Sequence, residues 1–181
     1  MIDHIVLCGL NGCGKSTLGR ALAEAAGYEF RDIENYYFPG DDAANPYAAA
    51  RSETEVAALL LHDLQQHPRL ILAAVRANYD ESILTMLTQA IHIVLPREIR
   101  LQRVRERSLR RFGDRVRPGG DLYRQEEDFF RLIASRTDDY VRKWLNASGL
   151  PVTEIDGMQP TEENVRRLLL ILQTNHLSGN E

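Results

Sequence analysis

A stretch near the N-terminus has the residue types of a loop that binds phosphate. It fits the pattern G-x-x-x-x-G-K-[ST] and reads Gly9-Leu10-Asn11-Gly12-Cys13-Gly14-Lys15-Ser16-Thr17. Glycines let the backbone curl so that successive N–H groups face one anion. In such loops the lysine reaches the β- and γ-phosphates of a nucleotide, and the next hydroxyl can bind Mg²⁺. We therefore predict that residues 11–17 bind a nucleotide, with Lys15 catalytic and Ser16 a metal ligand.

Two carboxylates lie at the end of the segment that we interpret as the second strand, residues 28–34. They are Asp32 and Glu34. Phosphoryl transfer needs Mg²⁺ near the phosphates and often a carboxylate that orients the acceptor. We expect Asp32 to hold a water of the metal or to accept the acceptor's proton, and Glu34 to bind the acceptor. The alternative is an acidic turn that faces solvent or caps a helix.

Arginines are concentrated between residues 97 and 117, where nine stand against three acidic residues. Arg100, Arg103 and Arg107 are spaced to share one helix face, which leads to Arg115 in a glycine-rich loop. Guanidinium groups suit the charge that spreads over transferring phosphoryl oxygens. We expect Arg107 and Arg115 to stabilise that charge, whereas other arginines of the run form a solvated face paired with acids.

Further residues are candidates for holding the phosphate acceptor. Arg76 stands just past the third predicted strand, residues 70–75, and Arg51 precedes the second predicted helix. Either could anchor an anionic group. The aromatic residues 36–38 lie in a predicted loop, where they could stack on an acceptor ring or plug the space over a helix.

The composition bounds the class of protein. The chain has 181 residues, of which 44% are hydrophobic and 27% are charged, and this suits one domain. No apolar run approaches a membrane span, the first strand begins almost at Met1, and Cys8 and Cys13 fit no disulfide framework or zinc site. We expect a cytoplasmic protein with no membrane partner. The net charge of −4 argues against a nucleic-acid partner, and the oligomeric state stays open.

Strand and helix patterns alternate along the chain. Ser52 and Glu55 form a capping box that opens a helix, and His92 is expected to be a satisfied core histidine in a buried strand. The remaining predicted segments are strands at 5–8, 91–95 and 152–156, helices at 17–26, 80–87, 97–112 and 122–146, and a last helix from 161. Alternation favours a three-layer α/β/α sandwich with a five-stranded parallel sheet, and ligands then sit at the carboxyl ends of the strands.

With these segments placed, the chain resembles the nucleotide-kinase branch of the P-loop proteins, which includes adenylate, cytidylate and shikimate kinases. Arg103-x-x-x-Arg107 is similar to the pair that opens the lid in such kinases. That likeness implies that Arg103 packs on adenine and Arg107 contacts phosphates. Arg136-Thr137-Asp138-Asp139-Tyr140 looks like the arginine and tyrosine that follow the lid. Ile155-Asp156-Gly157 looks like the final strand beside adenine, and Asp32-Ile33-Glu34 is similar to the acidic motif of shikimate-type kinases.

The sequence also departs from these families. Ala74-Val75-Arg76-Ala77-Asn78 carries neither the glycine triplet expected for shikimate nor a clear nucleoside-monophosphate signature. No carboxylate of the h-h-h-h-D-E type follows the third strand, which counts against a motor or transporter ATPase. Residues 112–121 look like the lid of a group of uncharacterised bacterial ATP-binding proteins. The resemblance therefore implies ATP-dependent phosphotransfer and leaves the acceptor open.

Taken together, these features predict a single P-loop kinase-like domain over residues 1–181, with a lid at about 112–122 and an acceptor-binding insertion at about 35–67. Its cofactors would be ATP and Mg²⁺. Its acceptor would be a small molecule, most readily a nucleoside or nucleotide. The acceptor-binding residues would be Glu34, Arg51, Arg76 and Arg136. Two alternatives stay open, an ATP-binding sensor with little turnover and an NTPase that uses water as acceptor.

Overall fold

The computed structural model describes residues 2–39 and 50–178, with side chains as far as residue 174. The strands are β1 Asp3–Cys8, β2 Glu29–Asp32, β3 Arg69–Ala73, β4 Gln89–Val94 and β5 Val152–Asp156. The α-helices are α1 Lys15–Ala26, α2 Ile33–Tyr37, α3 Glu53–Gln66, α4 Glu81–Met86, α5 Arg97–Phe112, α6 Tyr123–Ser135, α7 Asp139–Ser148 and α8 Thr161–Ser178. The middle of the predicted insertion, residues 40–49, lies outside the described residues.

The strands form one parallel sheet in the order β2-β3-β1-β4-β5. This confirms the predicted three-layer fold. All carboxyl ends of the strands lie at one edge, where the loop after β1 begins. Because β3 lies between β1 and β2, Asp32 at the end of β2 is two strand spacings, roughly 10 Å, from the end of β1.

Both faces of the sheet are covered by helices. On β1, Val6 and Cys8 point into a core shared with α3 and α7, whereas Ile5 and Leu7 point into a second core shared with α1 and α8. Burial on both faces explains the continuous apolar runs of the strands. The predicted helix 97–112 and the capping box at Ser52 are confirmed.

Residues 36 and 37 lie in a short helix, so the loop predicted there is wrong. Helix α2 begins directly after β2 because the Asp32 side chain accepts a hydrogen bond from the Glu34 backbone N–H at 3.1 Å. Aspartate at this position satisfies an N–H that the helix itself leaves unpaired. The cap places Glu34 in the first turn of α2.

The single helix predicted over residues 122–146 is also wrong. Helix α6 ends at Ser135, Arg136 is extended (φ −78°, ψ 123°), and α7 begins at Asp139. Apolar residues keep a helical spacing through both segments, and the periodicity therefore hid the break. The extended residue turns the chain so that the Arg136 side chain reaches the loop after β1.

A polar network fixes α2 against α3. One oxygen of Asp63 on α3 accepts hydrogen bonds from the Tyr36 hydroxyl and from Nε of Arg31, each at 2.6 Å. Burial acts to raise the pKa of Asp63, but the hydrogen bonds from Tyr36 and Arg31 outweigh it, so its pKa lies below the ordinary value. Tyr36 is therefore buried with its hydroxyl bonded to Asp63, and this contact holds α2 beside the sheet edge.

No helix within residues 2–39 and 50–178 combines the length and apolar character that a membrane crossing needs.

We expect Leu72→Ala to lower the free energy of unfolding by about 2–5 kcal/mol, because Leu72 is fully enclosed in β3 and truncation leaves a cavity. The matched control is Leu170→Ala, which truncates a leucine that is 66% exposed and should change stability by less than about 0.5 kcal/mol. Urea unfolding monitored by circular dichroism measures both. Equal losses in the two variants would contradict the described core.

We expect Asp63→Asn to destabilise the protein by about 1–3 kcal/mol at neutral pH, since it removes a charged acceptor from two donors. The folded-state pKa of Asp63 is lowered, so its contribution is complete above the unfolded pKa of about 3.9 and is lost as pH falls through the folded value. The gap between wild type and variant should therefore shrink between pH 6 and pH 3 in urea titrations. A gap independent of pH would refute the network's electrostatic role.

Candidate functional site

A cleft of about 580 Å³ opens at the carboxyl edge of the sheet, beside the loop that joins β1 to α1. Three parts of the chain that are far apart in sequence form its walls. The first is the loop with the start of α1, and Glu34 of α2 lies beside it. The second is the face of α5 that carries Arg103, Val104 and Arg107. The third is the segment that joins β5 to α8. The residues that line it are Asn11, Gly12, Cys13, Gly14, Lys15, Ser16, Thr17, Leu18, Glu34, Ile93, Arg103, Val104, Arg107, Gly157, Met158, Gln159, Pro160, Thr161 and Asn164.

The loop after β1 has the curled backbone that the motif predicts. Gly12 and Gly14 adopt φ values of +85° and +101°, a region that other residues rarely enter. Gly12 is also pressed against α5, because a Cβ at this position would overlap the carbonyl oxygen of Arg100. The loop therefore depends on glycine both for its conformation and for its contact with α5.

The start of α1 is prepared for an anion. Gly14 is its N-cap and makes no side-chain cap, and the first turn contains no acidic residue. The first N–H groups of a helix have no partner within the helix, so they and the positive end of the dipole face the cleft. Lys15 Nζ lies 3.4 Å from the Leu10 carbonyl oxygen, and among the described residues it forms no salt bridge. This arrangement fits a nucleotide's phosphates.

Arg100 lies beneath the loop and not on the cleft wall, although its spacing put it on the same face as Arg103 and Arg107. Its side chain is buried, and the residue is 3% exposed. Nε donates to the Leu95 carbonyl at 3.2 Å and Nη1 to the Asn11 carbonyl at 3.4 Å. Burial lowers the pKa of its guanidinium. Arg100 thus supports the loop from below.

The other candidate arginines of α5 and the following segment divide into two groups. Arg103 and Arg107 line the cleft, where the resemblance placed them. Arg115 lies in the 3₁₀ turn Gly113–Val116 and donates to both carboxylate oxygens of Asp121, with the shortest contact at 2.7 Å. Its role toward phosphate therefore stays a prediction.

The two carboxylates of the acidic motif have different surroundings. Glu34 lines the cleft together with Lys15 and Ser16. Asp32 is buried at the end of β2, and its Oδ1 caps α2. The helix-capping alternative for Asp32 is thus present in the structure. A capping carboxylate still has its second oxygen, so the cap leaves the predicted role of Asp32 open.

Two of the proposed acceptor anchors share one aromatic ring. The guanidinium carbon of Arg76 lies 4.1 Å from the centroid of Tyr140, and that of Arg136 lies 4.9 Å from it. Arg136 Nη1 also donates to Oδ1 of Asn11 in the loop at 3.2 Å. The third anchor, Arg51, donates to the Tyr36 carbonyl at 3.0 Å. Arg76 and Arg136 therefore lie together beside the loop, and Arg51 lies against α2.

Sequence reasoning missed most of the wall formed by the segment after β5. Asp156 ends β5, and its carboxylate accepts hydrogen bonds from the Met158 N–H at 2.8 Å and Gln159 Nε2 at 3.2 Å. Gly157 packs so tightly that a Cβ there would lie 3.2 Å from the Cys13 carbonyl oxygen. Asn164 in the first turns of α8 completes the wall. The only sequence signal was the Asp156-Gly157 turn, which says nothing about a residue on the next helix.

His92 differs from the satisfied core histidine that was expected. It is buried in β4, and Nδ1 is the one enclosed side-chain polar atom without a hydrogen bond in the part of the chain that the structure describes. Nδ1 lies 3.5 Å from Oε2 of Glu154, the residue in register on β5. Burial lowers its pKa. It does not line the cleft described above, and we assign it no function.

Among known proteins, the uncharacterized protein YqaC of Bacillus subtilis (strain 168) is 27% identical to this chain over 183 residues. The match covers 97% of this chain and 100% of that protein.

Solved kinases with different acceptors share the fold. The shikimate kinase of Acinetobacter baumannii, solved with shikimate, gives a TM-score of 0.59 at 21% identity over 97% of this chain and 95% of that one. A gluconokinase from Sinorhizobium meliloti 1021 gives 0.58 at 16% identity over 99% and 97%. Deoxyadenosine kinase from M. mycoides, with dCMP and dCDP bound, gives 0.55 at 12% identity over 94% and 98%.

A family model described as AAA domain matches residues 5–116, which include the phosphate-binding loop, the acidic motif and all of α5. That span exceeds half of the chain. The chain therefore belongs to the AAA_18 family of AAA domains, and its fold is that of the P-loop kinases.

Proposed function

We propose that this protein is a small-molecule kinase that transfers the γ-phosphoryl group of Mg·ATP to a small acceptor. One observation carries the proposal. A single cleft brings the phosphate-binding loop together with Glu34, Arg103 and Arg107. Phosphoryl transfer requires cations around the transferring group and a carboxylate near the acceptor, and this cleft has both.

The loop and α1 would hold the phosphates of ATP. Backbone N–H groups of residues 11–17 and the start of α1 would face the β-phosphate, and Lys15 would reach between the β- and γ-phosphates. Arg103 would pack on the adenine ring, as the resemblance implies. Arg107, on the same face one turn further along α5, would contact the phosphates.

Mg²⁺ would be held by the hydroxyl of Ser16 and by a water that Asp32 positions. When bound, the ion neutralises charge on the β- and γ-phosphates. The donor set is suitable, because Mg²⁺ prefers oxygen ligands and usually keeps several waters beside one or two protein groups.

The segment 112–122 would act as a lid that excludes water from the cleft. For Arg115 to reach phosphate it must leave Asp121. The two side chains are 33% and 62% exposed, so water and salt screen the attraction between them. Exchange of Asp121 for a phosphate oxygen is therefore energetically accessible, and we keep Arg115 as a catalytic residue.

The acceptor would lie between α2 and the ring of Tyr140. Arg76 and Arg136 place two positive charges on that ring, and neither forms a salt bridge within residues 2–39 and 50–178. An anionic acceptor would neutralise them, with Glu34 nearer the transferred group and Arg51 at the rim. Tyr37 and Phe38 remain partly exposed, whereas Tyr36 is buried, so stacking on an acceptor ring would come from residues 37 and 38. A nucleoside or nucleotide suits this arrangement best.

A thermal-shift screen tests the function as a whole. Mg·ATP should raise the melting temperature, and a non-hydrolysable ATP analogue should allow a further rise with one class of anionic or hydroxylated metabolite. Formation of the phosphorylated metabolite would then be measured directly. A shift with ATP and none with any second ligand would favour the sensor, and steady ATP hydrolysis that no metabolite stimulates would favour the NTPase.

We expect Lys15→Ala to abolish phosphotransfer and to reduce the thermal shift with Mg·ATP, since it removes the ammonium group nearest the phosphates. The matched control is Lys143→Ala on α7, which alters the chain's only other lysine. The control should keep both the shift and the turnover. Near-normal turnover in Lys15→Ala would contradict the proposed mechanism.

We expect Asp32→Asn to lower kcat by about 100-fold or more with little loss of stability. Asparagine caps a helix as well as aspartate does, so the substitution removes the charge and keeps the cap, and loss of general-base catalysis costs on this scale. Glu34→Gln should act mainly on KM for the acceptor. Steady-state kinetics and urea unfolding separate the two effects, and an unchanged kcat in Asp32→Asn would leave Asp32 as a cap alone.

A further inference from the structure

Asn164 occupies a position in the cleft that the reaction described above does not use. It lies in the first turns of α8, is 5% exposed, and lines the cleft together with the Gly157–Thr161 segment. A buried amide is costly unless its polar atoms have partners. The partners of its two polar atoms are therefore informative.

The orientation of the Asn164 amide follows from its hydrogen bond. Nδ2 donates to the backbone carbonyl of Asp156 at 2.9 Å. A carbonyl oxygen only accepts, so the amide nitrogen must be on that side and Oδ1 on the other.

Oδ1 of Asn164 accepts no hydrogen bond from any described residue. Among the described residues, the one fully enclosed side-chain polar atom without a hydrogen-bond partner is Nδ1 of His92. Because Oδ1 of Asn164 also has no partner there, it cannot be fully enclosed and must contact solvent. The solvent space beside Asn164 is the cleft. The cleft wall therefore presents a hydrogen-bond acceptor that has no partner among the residues that the structure describes.

This acceptor is held rigidly relative to the phosphate-binding loop. The Asp156 carboxylate fixes the next turn through Met158 and Gln159. Gly157 packs against that loop, with a Cβ there only 3.2 Å from the Cys13 carbonyl oxygen and 3.1 Å from that of Val94. In the proposed binding mode the phosphates lie on the loop and Arg103 packs on the base, so the base would lie in the part of the cleft that Asn164 also lines.

We propose that Asn164 is a specificity-determining residue, whose Oδ1 accepts a hydrogen bond from the exocyclic amino group of the base and selects a 6-aminopurine over a 6-oxopurine. The inference rests on the proposed function, since it needs nucleotide bound in this cleft. An amino group supplies the missing donor. A 6-oxo group would place a second acceptor against Oδ1, and a largely buried acceptor would then lose its water without gaining a partner.

Isothermal titration calorimetry with ADP and IDP, each with Mg²⁺, tests the inference. We expect the wild type to bind ADP about tenfold more tightly than IDP, the size of one satisfied hydrogen bond. Asn164→Leu, similar in size but without the acceptor, should reduce this ratio to within about twofold, chiefly by weakening ADP.

The ratio of ADP to IDP affinity distinguishes a role of Asn164 in base selection from a purely structural role. If Asn164 only positions the turn after β5, Asn164→Leu will weaken ADP and IDP by the same factor and the ratio will not change, which overturns the inference. Equal affinity of the wild type for the two nucleotides also overturns it but leaves nucleotide binding intact. Binding of neither nucleotide would defeat the proposed function together with this inference. If Asn164→Leu fails to fold, the ratio of ADP to IDP affinity in the wild type still tests the inference, because the role of Oδ1 requires a preference for ADP.

Discussion

The close contact between the phosphate-binding loop and the first turns of α5 is the constraint on which the site depends. Gly12 lies against the Arg100 carbonyl with no room for a Cβ, and the buried Arg100 guanidinium donates to the Asn11 carbonyl. These contacts hold the curled loop in one shape before any anion arrives. N–H groups that are already in position do not have to be reoriented when phosphate binds, so little free energy is spent on reorganisation. The same contact brings Arg103 and Arg107 to the cleft wall.

A second set of contacts with the loop comes from the break between α6 and α7. Arg136 leaves α6 in an extended conformation and donates to the Asn11 side chain while it stacks on Tyr140. Asn11 is therefore held through its backbone by α5 and through its side chain by Arg136. Because α6 directly follows the predicted lid, this contact links the lid segment to the phosphate-binding loop.

The two carboxylates of the acidic motif lie at different distances from the loop because of the sheet order and the helix after β2. With β3 between β1 and β2, the end of β2 stands back from the phosphates, and the short helix α2 carries Glu34 forward into the cleft. Asp32 starts that helix, and the Asp63 network holds it in place. The gap of two strands therefore sets Asp32 back from the loop, whereas Glu34 lines the cleft with it.

The sequence by itself determined the features whose physics is local. The phosphate-binding loop, the capping box at Ser52 and the helix 97–112 each depend on the types and spacing of neighbouring residues. Alternating strands and helices also determined the parallel sheet.

Tertiary structure alone decided features that depend on contacts between distant segments. Helical spacing placed Arg100 beside Arg103, but only the packing of α5 on the loop buries the first and exposes the second. The break at Arg136 lay within continuous apolar periodicity, where no local signal marks it. The open acceptor of Asn164 exists because α8 places its side chain against Asp156, and that contact depends on the position of α8 on the sheet. Local propensity reports on the backbone of each segment, whereas the direction of a buried polar group is set by its partners in three dimensions.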